Sequence, residues 1–365
     1  MNRGSIKRHW TLLPLAFIYR TAIGIRNKLF DWKFLPSEEF DTPVISVGNL
    51  TVGGTGKTPH IEYLIKLLKD KYKVALLSRG YKRKSQGFQL ATPGSSAKDI
   101  GDEPFQIKTK FPDIHVAVDT DRRHGIHQLR KSDTSKDVEI ILLDDAFQHR
   151  YVTPGINIVL IDYNRPIYED SLMPTGMLRE PVSSLDRAHI IIVTKCPKGI
   201  KPIDFRVVTN HLDLRPYQRL YFTTFRYGDL KAFRTFHEHK ALSTLSPHTH
   251  ILLVTGIASA KPLIEKLREY TKNISHMEYG DHHNFTRAEL HNISETYAKI
   301  ESEDKLLITT EKDAARLSAY TLDESLADNL YILPIEVEFL QDQKQSFDRY
   351  ITDYVSKNSR NRIVH

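Results

Sequence analysis

A glycine-rich segment carries the clearest chemistry of the chain. It follows a predicted buried strand that begins at Val44 and reads Thr51-Val52-Gly53-Gly54-Thr55-Gly56-Lys57-Thr58. Glycines leave backbone N–H groups free to point at phosphate oxygens, and a helix that begins after the loop adds its positive end. Lys57 is then placed to reach the β- and γ-phosphates, and the Thr58 hydroxyl is placed to ligate Mg²⁺. Although the strict P-loop pattern has glycine at the position of Thr51, the segment predicts a nucleotide-binding loop.

Two neighbouring acids, Asp144 and Asp145, directly follow the apolar run 140–143. This arrangement is typical of a Walker B strand, in which a carboxylate holds Mg²⁺ directly or through water and offsets phosphate charge. Acids at strand ends also serve as helix caps. Because a phosphate loop precedes them, we predict the metal role, with either acid as the direct ligand.

The segment Gly101-Asp102-Glu103-Pro104 offers a second pair of carboxylates. Asp102 has the position of a helix N-cap, with the next two residues in the first turn. A phosphoryl acceptor hydroxyl also needs a positioned carboxylate to take its proton. The two roles are compatible, so Asp102 is a candidate general base as well as a cap, and Glu103 is a candidate metal ligand.

Basic side chains lie in predicted loops or turn-rich segments, at Arg79, Lys82, Arg122, Arg123 and Arg179. Guanidinium groups bind phosphate well because their planar fork matches its oxygens. These residues could bind an anionic acceptor or the transferring phosphate. A solvated surface position is the alternative for each of them.

The composition is that of a folded protein with room for two domains: 365 residues, 40% hydrophobic and 27% charged. A single cysteine excludes an internal disulfide and a multi-cysteine zinc site, which favours a reducing, cytosolic compartment. The formal charge of +7 favours an anionic partner. Because no basic and aromatic module of a known type occurs, we expect no nucleic acid. The sequence indicates no obligatory protein partner.

Residues 10–32 mix apolar and basic side chains between Trp10 and Trp32. A membrane-spanning helix needs about 20 apolar residues, and the uninterrupted apolar run stops at Arg20. We therefore expect no span. The pattern favours an amphipathic helix lying in the membrane interface, and a helix packed on the protein's own core is the alternative.

Short apolar runs alternate with predicted helices up to about residue 200, as in a P-loop-type parallel α/β sheet. Ligands bind beyond the carboxyl ends of such strands, so the polar residues there form the candidate site. Two further strand-like segments bracket a second α/β region. The predicted divisions are an N-terminal membrane-interface helix (1–32), a P-loop domain (33–215), a two-stranded linker (216–228 and 330–340), a smaller second α/β domain (229–329), and a C-terminal helix and tail (341–365).

The segment Thr194-Lys195-Cys196-Pro197 bears on the choice of nucleotide. Guanine-specific P-loop proteins carry a base-reading aspartate at the position of Pro197, so the segment favours ATP over GTP. ATPases of the partition and metal-chaperone type carry a lysine before the paired glycines, where this chain has Val52.

The cluster Asp281-His282-His283 is the most reactive-looking part of the second region. Paired histidines suggest zinc, but no third nitrogen or sulfur ligand lies at a recognisable spacing. The pair could instead be structural, or one histidine could face the cleft. Either histidine could be the one that does so.

Seven motifs follow one another along most of the chain: the loop region 48–59, Ser78-Arg79-Gly80-Tyr81, Gly101-Asp102-Glu103, Asp144-Asp145-Ala146-Phe147-Gln148-His149, Gly176-Met177-Leu178-Arg179-Glu180-Pro181, Asp281-His282-His283 and Thr310-Glu311-Lys312-Asp313-Ala314. In this order they resemble the tetraacyldisaccharide 4'-kinase family. Any one motif is modest evidence, whereas the ordered set is specific. One departure is Lys82, where the family usually has glycine.

The resemblance implies a kinase that uses ATP and Mg²⁺ to phosphorylate the 4'-hydroxyl of a lipid A disaccharide 1-phosphate in lipopolysaccharide biosynthesis. It implies a peripheral position at the cytoplasmic face of the bacterial inner membrane. There a basic amphipathic helix would meet an anionic surface. Two lobes would close on ATP and exclude water.

The resemblance also implies roles for the candidate residues. These are the general base for Asp102 with His282 beside it, phosphate and Mg²⁺ binding for Lys57 and Thr58, metal binding for Asp144, Asp145 and Glu103, contact with the transferring phosphoryl group for Arg179, and contact with the acceptor for Arg79, Tyr81 and Arg122.

Two other functions stay open at the level of the sequence. One is a membrane-associated ATPase or GTPase switch of the partition or metal-chaperone type, which basal hydrolysis independent of lipid would favour. The other is a nucleotide-sensing membrane adaptor, in which Asp102 would be a cap only.

Overall fold

Two β-sheets flanked by helices make up residues 10–235, 238–281, 283–320 and 322–360, which the computed structural model describes. Their α-helices are α1 (Leu13–Asp31), α2 (Lys57–Leu68), α3 (Ala97–Ile100), α4 (Asp102–Lys110), α5 (Arg122–Lys131), α6 (Pro202–Leu212), α7 (Lys261–Leu267), α8 (Arg287–Ala298), α9 (Glu311–Leu317), α10 (Glu324–Asn329) and α11 (Lys344–Arg360). Their strands are β1 (Val44–Asn49), β2 (Val74–Ser78), β3 (Gln89–Leu90), β4 (His115–Val118), β5 (Ile140–Asp144), β6 (Ile156–Asp162), β7 (Ile190–Thr194), β8 (Arg219–Tyr227), β9 (Leu230–Ala232), β10 (His239–Lys240), β11 (His250–Thr255), β12 (Ile274–Glu278), β13 (Lys305–Thr310), β14 (Leu330–Leu333) and β15 (Ile335–Phe339).

The first sheet has nine strands in the order β15-β8-β7-β6-β1-β5-β2-β4-β3. The strands from β8 to β4 run parallel, and β15 and β3 pair antiparallel at the two edges. Strand β1 is central and wholly buried, and helices pack on both faces of the sheet. Burial on both faces explains why these strands read as continuous apolar runs. The sheet confirms the predicted P-loop-type parallel α/β fold.

The second sheet has six strands in the order β10-β9-β14-β13-β11-β12. Its four strands β12, β11, β13 and β14 run parallel, and β9 and β10 add an antiparallel edge. Helix α9 follows β13 directly and packs against α4 of the first domain. The two domains therefore meet at the helix that begins with Asp102.

The chain passes between the two sheets twice. Strand β8 leads out of the first sheet, β15 returns to it, and the two pair antiparallel from Thr223 opposite Phe339 to Tyr227 opposite Ile335. The stretch 330–333 of the predicted linker is instead β14 of the second sheet. Pro334 separates β14 from β15, because proline has no N–H with which to continue a ladder.

Helix α1 contacts the first domain on one side only. Ala16 and Phe30 are buried, and the Tyr19 hydroxyl donates to the backbone carbonyl of Arg179 at 2.9 Å. No helix among the described residues has both the length and the apolar character needed to cross a bilayer. The other side of α1 exposes large apolar side chains, namely Leu13, Leu15, Phe17, Ile18 and Ile25.

Helix α11 covers one face of the first sheet after the chain has returned through β15. Phe347, Ile351 and Val355 are buried in the same core as Ile45 of β1. The core of the first domain is therefore completed by residues that follow the second domain in the chain.

Candidate active site

The glycine-rich loop joins the end of β1 to the first turn of α2. Gly56 has a φ of +86°, and a Cβ atom there would lie 2.5 Å from Cζ of Phe225, so the turn requires glycine. The Asn49 side-chain amide donates to Thr55 Oγ1 at 3.0 Å, and Thr194 Oγ1 donates to the Thr55 carbonyl at 2.9 Å. The ends of β1 and β7, which lie on either side of β6, thus fix a loop of phosphate-binding form in front of a helix N-terminus.

Two cations converge on Asp145 beside this loop. The Lys57 ammonium lies 3.4 Å from Oδ1 of Asp145, and Arg179 Nη1 donates to both carboxylate oxygens at 3.0 Å. Burial alone would raise the pKa of Asp145, but the two cations outweigh burial and hold the pKa below its usual value. Asp145 is therefore an ionised and compensated carboxylate.

Asp144 is in the opposite situation. It ends β5 opposite Val47 of β1, and its Oδ2 accepts a hydrogen bond from Ser78 Oγ at 3.0 Å. Burial first, and then the negative charges of Asp145 and Glu103, raise the pKa of Asp144 to about 6. Negative charge at this point is therefore only partly compensated by the protein itself.

These acids fit Mg²⁺ bound together with a nucleotide rather than a cation held by the protein alone. Within the ranges that the structure describes, no three His, Cys, Asp or Glu side chains are grouped closely enough to hold a metal ion. Mg²⁺ usually takes one or two carboxylates, with phosphate oxygens and water completing an octahedral shell. The uncompensated charge at Asp144 is what such an ion would offset, and Thr58 lies beside Lys57 in the first turn of α2.

A second segment of chain carries Arg179 to the phosphate loop. The Arg179 N–H donates to the Leu50 carbonyl at 2.7 Å, and the Val52 N–H donates to the Met177 carbonyl at 2.8 Å. The backbone on either side of Arg179 is thus hydrogen-bonded to the glycine-rich loop, and this places the guanidinium beside the loop. This arrangement explains why the predicted motif 176–181 belongs with the loop although the two lie far apart in sequence.

Asp102 is the first residue of α4, and Gly101 rather than Asp102 occupies the N-cap position. Gly101 has a φ of +93° and a ψ of 159°, a combination open essentially to glycine. Oδ2 of Asp102 accepts a hydrogen bond from Arg316 Nε at 3.0 Å, and Glu103 lies 3.5 Å from the Lys312 ammonium. Both acids of this motif therefore meet cations of α9, from the second domain.

Of the two predicted histidines, the structure describes only His283. His282, the predicted partner of Asp102, lies outside the described residues. His283 Nε2 lies 3.0 Å from both carboxylate oxygens of Glu289, and its ring stacks on Tyr279. Since Glu289 also belongs to the capping box at the start of α8, His283 has a structural role there.

The three predicted acceptor contacts differ in their surroundings. Arg79 and Tyr81 are exposed in the loop after β2, as such a contact requires. Arg122 is only 3% exposed, and its guanidinium donates to three backbone carbonyls next to the ends of β4 and β5. The predicted lipid contact of Arg122 does not match this burial. Lys82 has a φ of +62°, so the loop keeps the left-handed conformation that glycine adopts without strain.

Three polar side chains of the site received no role from the sequence: Ser78, Lys312 and Arg316. Ser78 and Lys312 lie inside recognised motifs, and membership of those motifs was the sequence signal that could have identified them. Arg316 follows a recognised motif and is 214 residues from its partner Asp102. No local pattern could have joined the two.

Comparison with known proteins bears on this site. A family model, LpxK, described as tetraacyldisaccharide-1-P 4'-kinase, matches residues 8–356. The chain belongs to this family. The tetraacyldisaccharide 4'-kinase of Phocaeicola vulgatus is 56% identical over 362 residues, which cover 99% of each chain. That of Flavobacterium johnsoniae is 44% identical, with 95% of this chain and 97% of the relative covered.

A solved structure gives the same family. The crystal structure of LpxK from Aquifex aeolicus in complex with ATP has a TM-score of 0.74 and 27% sequence identity, over 94% of this chain and 98% of its own. Membership confirms the family indicated by the ordered motifs, and the chain is an enzyme of the kinase type. The ATPase or GTPase switch is not favoured.

Proposed function

We propose that this protein transfers the γ-phosphate of ATP to the 4'-hydroxyl of a tetraacyldisaccharide 1-phosphate in lipid A biosynthesis. The names of the family and of its relatives support the reaction, and the ATP complex of the Aquifex aeolicus relative supports the donor. One observation of the geometry carries the proposal furthest. A Cβ atom at Gly101, next to Asp102, would lie 3.1 Å from the carbonyl carbon of Gly80, and Ser78 at the start of the same loop donates to Asp144 at 3.0 Å, which supports one cleft for the base and the phosphate loop.

The proposed reaction is an in-line displacement at the γ-phosphorus. The 4'-hydroxyl oxygen forms a bond to this phosphorus while the bond to the bridging oxygen breaks, and ADP leaves with the electron pair. Asp102 takes the hydroxyl proton. Lys57 and Arg179 offset charge on the phosphate oxygens, and their convergence on Asp145 supports this role because both already face a single anionic group.

We assign Mg²⁺ binding to Thr58, Asp144 and Asp145, with Glu103 nearby. When bound, the ion would supply positive charge between the β- and γ-phosphates. Asp145 already has two cationic partners, whereas the raised pKa of Asp144 marks negative charge that the protein leaves uncompensated. We therefore infer that Asp144 would contribute most to holding the ion.

The acceptor carries acyl chains and stays in the bilayer, so the enzyme has to reach it at the membrane surface. The exposed apolar side of α1 and the net charge of +7 support a peripheral position on an anionic membrane. Tyr19 joins this helix to the backbone of Arg179, which supports a phosphate site close to the interface. We propose Arg79 and Tyr81 as acceptor contacts and the cytoplasmic face of the bacterial inner membrane as the location.

Transfer of label from γ-labelled ATP to the disaccharide 1-phosphate, with Mg²⁺ in detergent micelles, tests the function directly. We expect label on the lipid. In Asp102→Asn we expect transfer to fall about 100-fold or more, because the amide keeps the shape of the side chain but takes no proton. ATP affinity is expected to stay near that of the wild type.

Asp113→Asn is the matched control, since Asp113 is an exposed acid in the turn after α4; its transfer rate should equal that of the wild type. Retained transfer in a folded Asp102→Asn variant would remove Asp102 from the role of base. Release of inorganic phosphate at a rate indifferent to lipid would favour the ATPase switch over the kinase.

A further inference from the structure

A series of polar contacts runs from the second domain to Asp102. Arg316 of α9 donates from Nε to Oδ2 of Asp102 at 3.0 Å. The side chain of Arg316 is 2% exposed and that of Asp102 is 20% exposed. The guanidinium is therefore buried in the contact between the domains, whereas the acid keeps access to solvent.

The second domain holds this guanidinium in place from behind. Arg316 Nη1 donates to Oδ1 of Asp313 at 2.9 Å and to the Gly256 carbonyl at 3.0 Å. Oδ2 of Asp313 accepts from Thr310 Oγ1 at 2.7 Å and from the Gly256 N–H at 2.9 Å. Because the guanidinium is planar, fixing Nη1 also fixes the direction in which Nε donates.

The contacts behind Arg316 are built on the ends of two adjacent strands. Thr310 ends β13 and Gly256 follows β11, its parallel neighbour. A Cβ atom at Gly256 would lie 3.1 Å from Oδ1 of Asp313, so the strand end and the acid are in close contact. Groups anchored on a sheet hold their geometry better than groups on free loops.

Docking of the domains already has its own ionic contact. Lys110 of α4 meets Glu62 of α2 and Glu311 of α9, and all three side chains are largely buried. The pair of Arg316 with Asp102 lies in the same contact but ends on the candidate base. This pair can therefore orient the acid in addition to joining the domains.

We propose that Arg316 is a positioning residue that holds the Asp102 carboxylate in the orientation in which it takes the acceptor proton. Arg316 acts through Asp102 and does not touch the substrate. Because Arg316 belongs to the second domain, Asp102 is aligned only while the two domains are docked. This inference rests on the proposed function, in which Asp102 is the general base.

A double-mutant cycle on the full chain tests the inference. Arg316→Gln and Arg316→Lys are measured alone and combined with Asp102→Asn, with label transfer as the assay. We expect Arg316→Gln to lower kcat about 100-fold, since a misplaced base transfers the proton poorly, and to leave KM for ATP within about twofold. Arg316→Lys should restore part of kcat, because lysine keeps the charge but lacks the fixed fork. In the Asp102→Asn background, Arg316→Gln should cost less than about threefold, since no base remains to be oriented.

Glu311→Gln is the matched control, because it removes a carboxylate from the same domain contact without touching Asp102. We expect Glu311→Gln to change the transfer rate by the same factor whether Asp102 is intact or replaced by asparagine. If Arg316→Gln also costs the same factor in both backgrounds, Arg316 serves docking alone and the inference is overturned.

Thermal melting and ATP binding show whether each variant is folded. If Arg316→Gln unfolds, Arg316→Lys takes its place in the double-mutant cycle. Collapse of transfer in Asp102→Asn, together with an unaffected kcat in Arg316→Gln, overturns this inference only. Retained transfer in Asp102→Asn overturns the proposed base as well.

Discussion

Gly101 sets the position of Asp102, the proposed general base, which follows it. Its φ of +93° and ψ of 159° lie in a region that other residues avoid. A Cβ atom there would lie 3.0 Å from the carbonyl oxygen of Tyr81 and 3.1 Å from the carbonyl carbon of Gly80. Both are backbone atoms, which cannot rotate away. A larger residue at this position would therefore displace Asp102.

Gly101→Ala should lower phosphoryl transfer about 100-fold, because a base displaced by about 1 Å no longer reaches the acceptor hydroxyl. Strain in the backbone should lower the free energy of unfolding by about 1–3 kcal/mol. ATP affinity should persist, since the phosphate loop is untouched. Label transfer, urea denaturation and ATP titration measure the three effects.

Gly94→Ala provides the control, because a Cβ atom at Gly94 would have no other heavy atom within 4 Å. Its unfolding free energy should change by less than about 0.5 kcal/mol. A wild-type transfer rate in Gly101→Ala would show that the loop relaxes without moving Asp102.

Single residues were predictable from the sequence where a local pattern carried them. Lys57 follows a glycine turn and Asp145 follows an apolar run, so residue type and spacing were sufficient to single out both as candidate site residues. Arg316 depends on the docking of two domains, and the burial of Arg122 depends on the packing of strand ends. Neither the contact of Arg316 nor the burial of Arg122 can be predicted from a local sequence pattern.

At the scale of elements, α1 packs on the protein's own core on one side and exposes apolar side chains on the other. Its inner side packs through Phe30, while Phe17 is 70% exposed and Ile18 is 64% exposed on its outer side. The apolar and basic pattern predicts the helix, but it does not show which apolar side chains the protein itself covers. The linker shows a similar limit, because Pro334 divides a run that reads as one strand into β14 and β15.

Replacing Phe17 and Ile18 together by glutamate should weaken binding to anionic phospholipid vesicles by more than about tenfold. Each side chain contributes about 1.5–3 kcal/mol when it is removed from water, and the added negative charge opposes the surface. Vesicle co-sedimentation measures the affinity. Transfer to a short-chain acceptor in solution should persist.

Ile203→Glu is the control, since Ile203 of α6 is 58% exposed and lies outside α1. Its vesicle binding should match that of the wild type. If the α1 variant binds vesicles as tightly as the wild type does, α1 is not the membrane contact.

At the scale of the whole molecule, His60 joins the nucleotide-loop helix to the strand that leads into the second domain. Its Nδ1–H donates to the Gly56 carbonyl at 2.7 Å, so its Nε2 accepts from Thr223 Oγ1 at 3.1 Å. Burial lowers the pKa of His60 to about 4, although the bond to Gly56 opposes the shift. Between its ordinary pKa of 6.5 and about 4, the unfolded chain takes up a proton that the folded chain does not.

The stabilisation linked to His60 is therefore complete above pH 6.5 and is lost as the pH falls toward 4. Between about pH 7.5 and about pH 5 the first domain should lose about 2 kcal/mol of unfolding free energy through this group. His60→Gln should be less stable at neutral pH but should lose less on acidification. Urea denaturation at the two pH values measures both effects.

His248→Gln, at an exposed histidine of the second domain, should lose stability on acidification as the wild type does. An undiminished acid loss in His60→Gln would show that other groups govern the pH dependence.

The return of the chain from the second domain has a consequence for synthesis on the ribosome. Phe347, Ile351 and Val355 complete the core around Ile45, and they leave the ribosome after the whole of the second sheet. The second domain is therefore free to fold while the first still lacks its edge strand β15 and its covering helix α11. The growing chain therefore completes its first domain last, although most of that domain is made first.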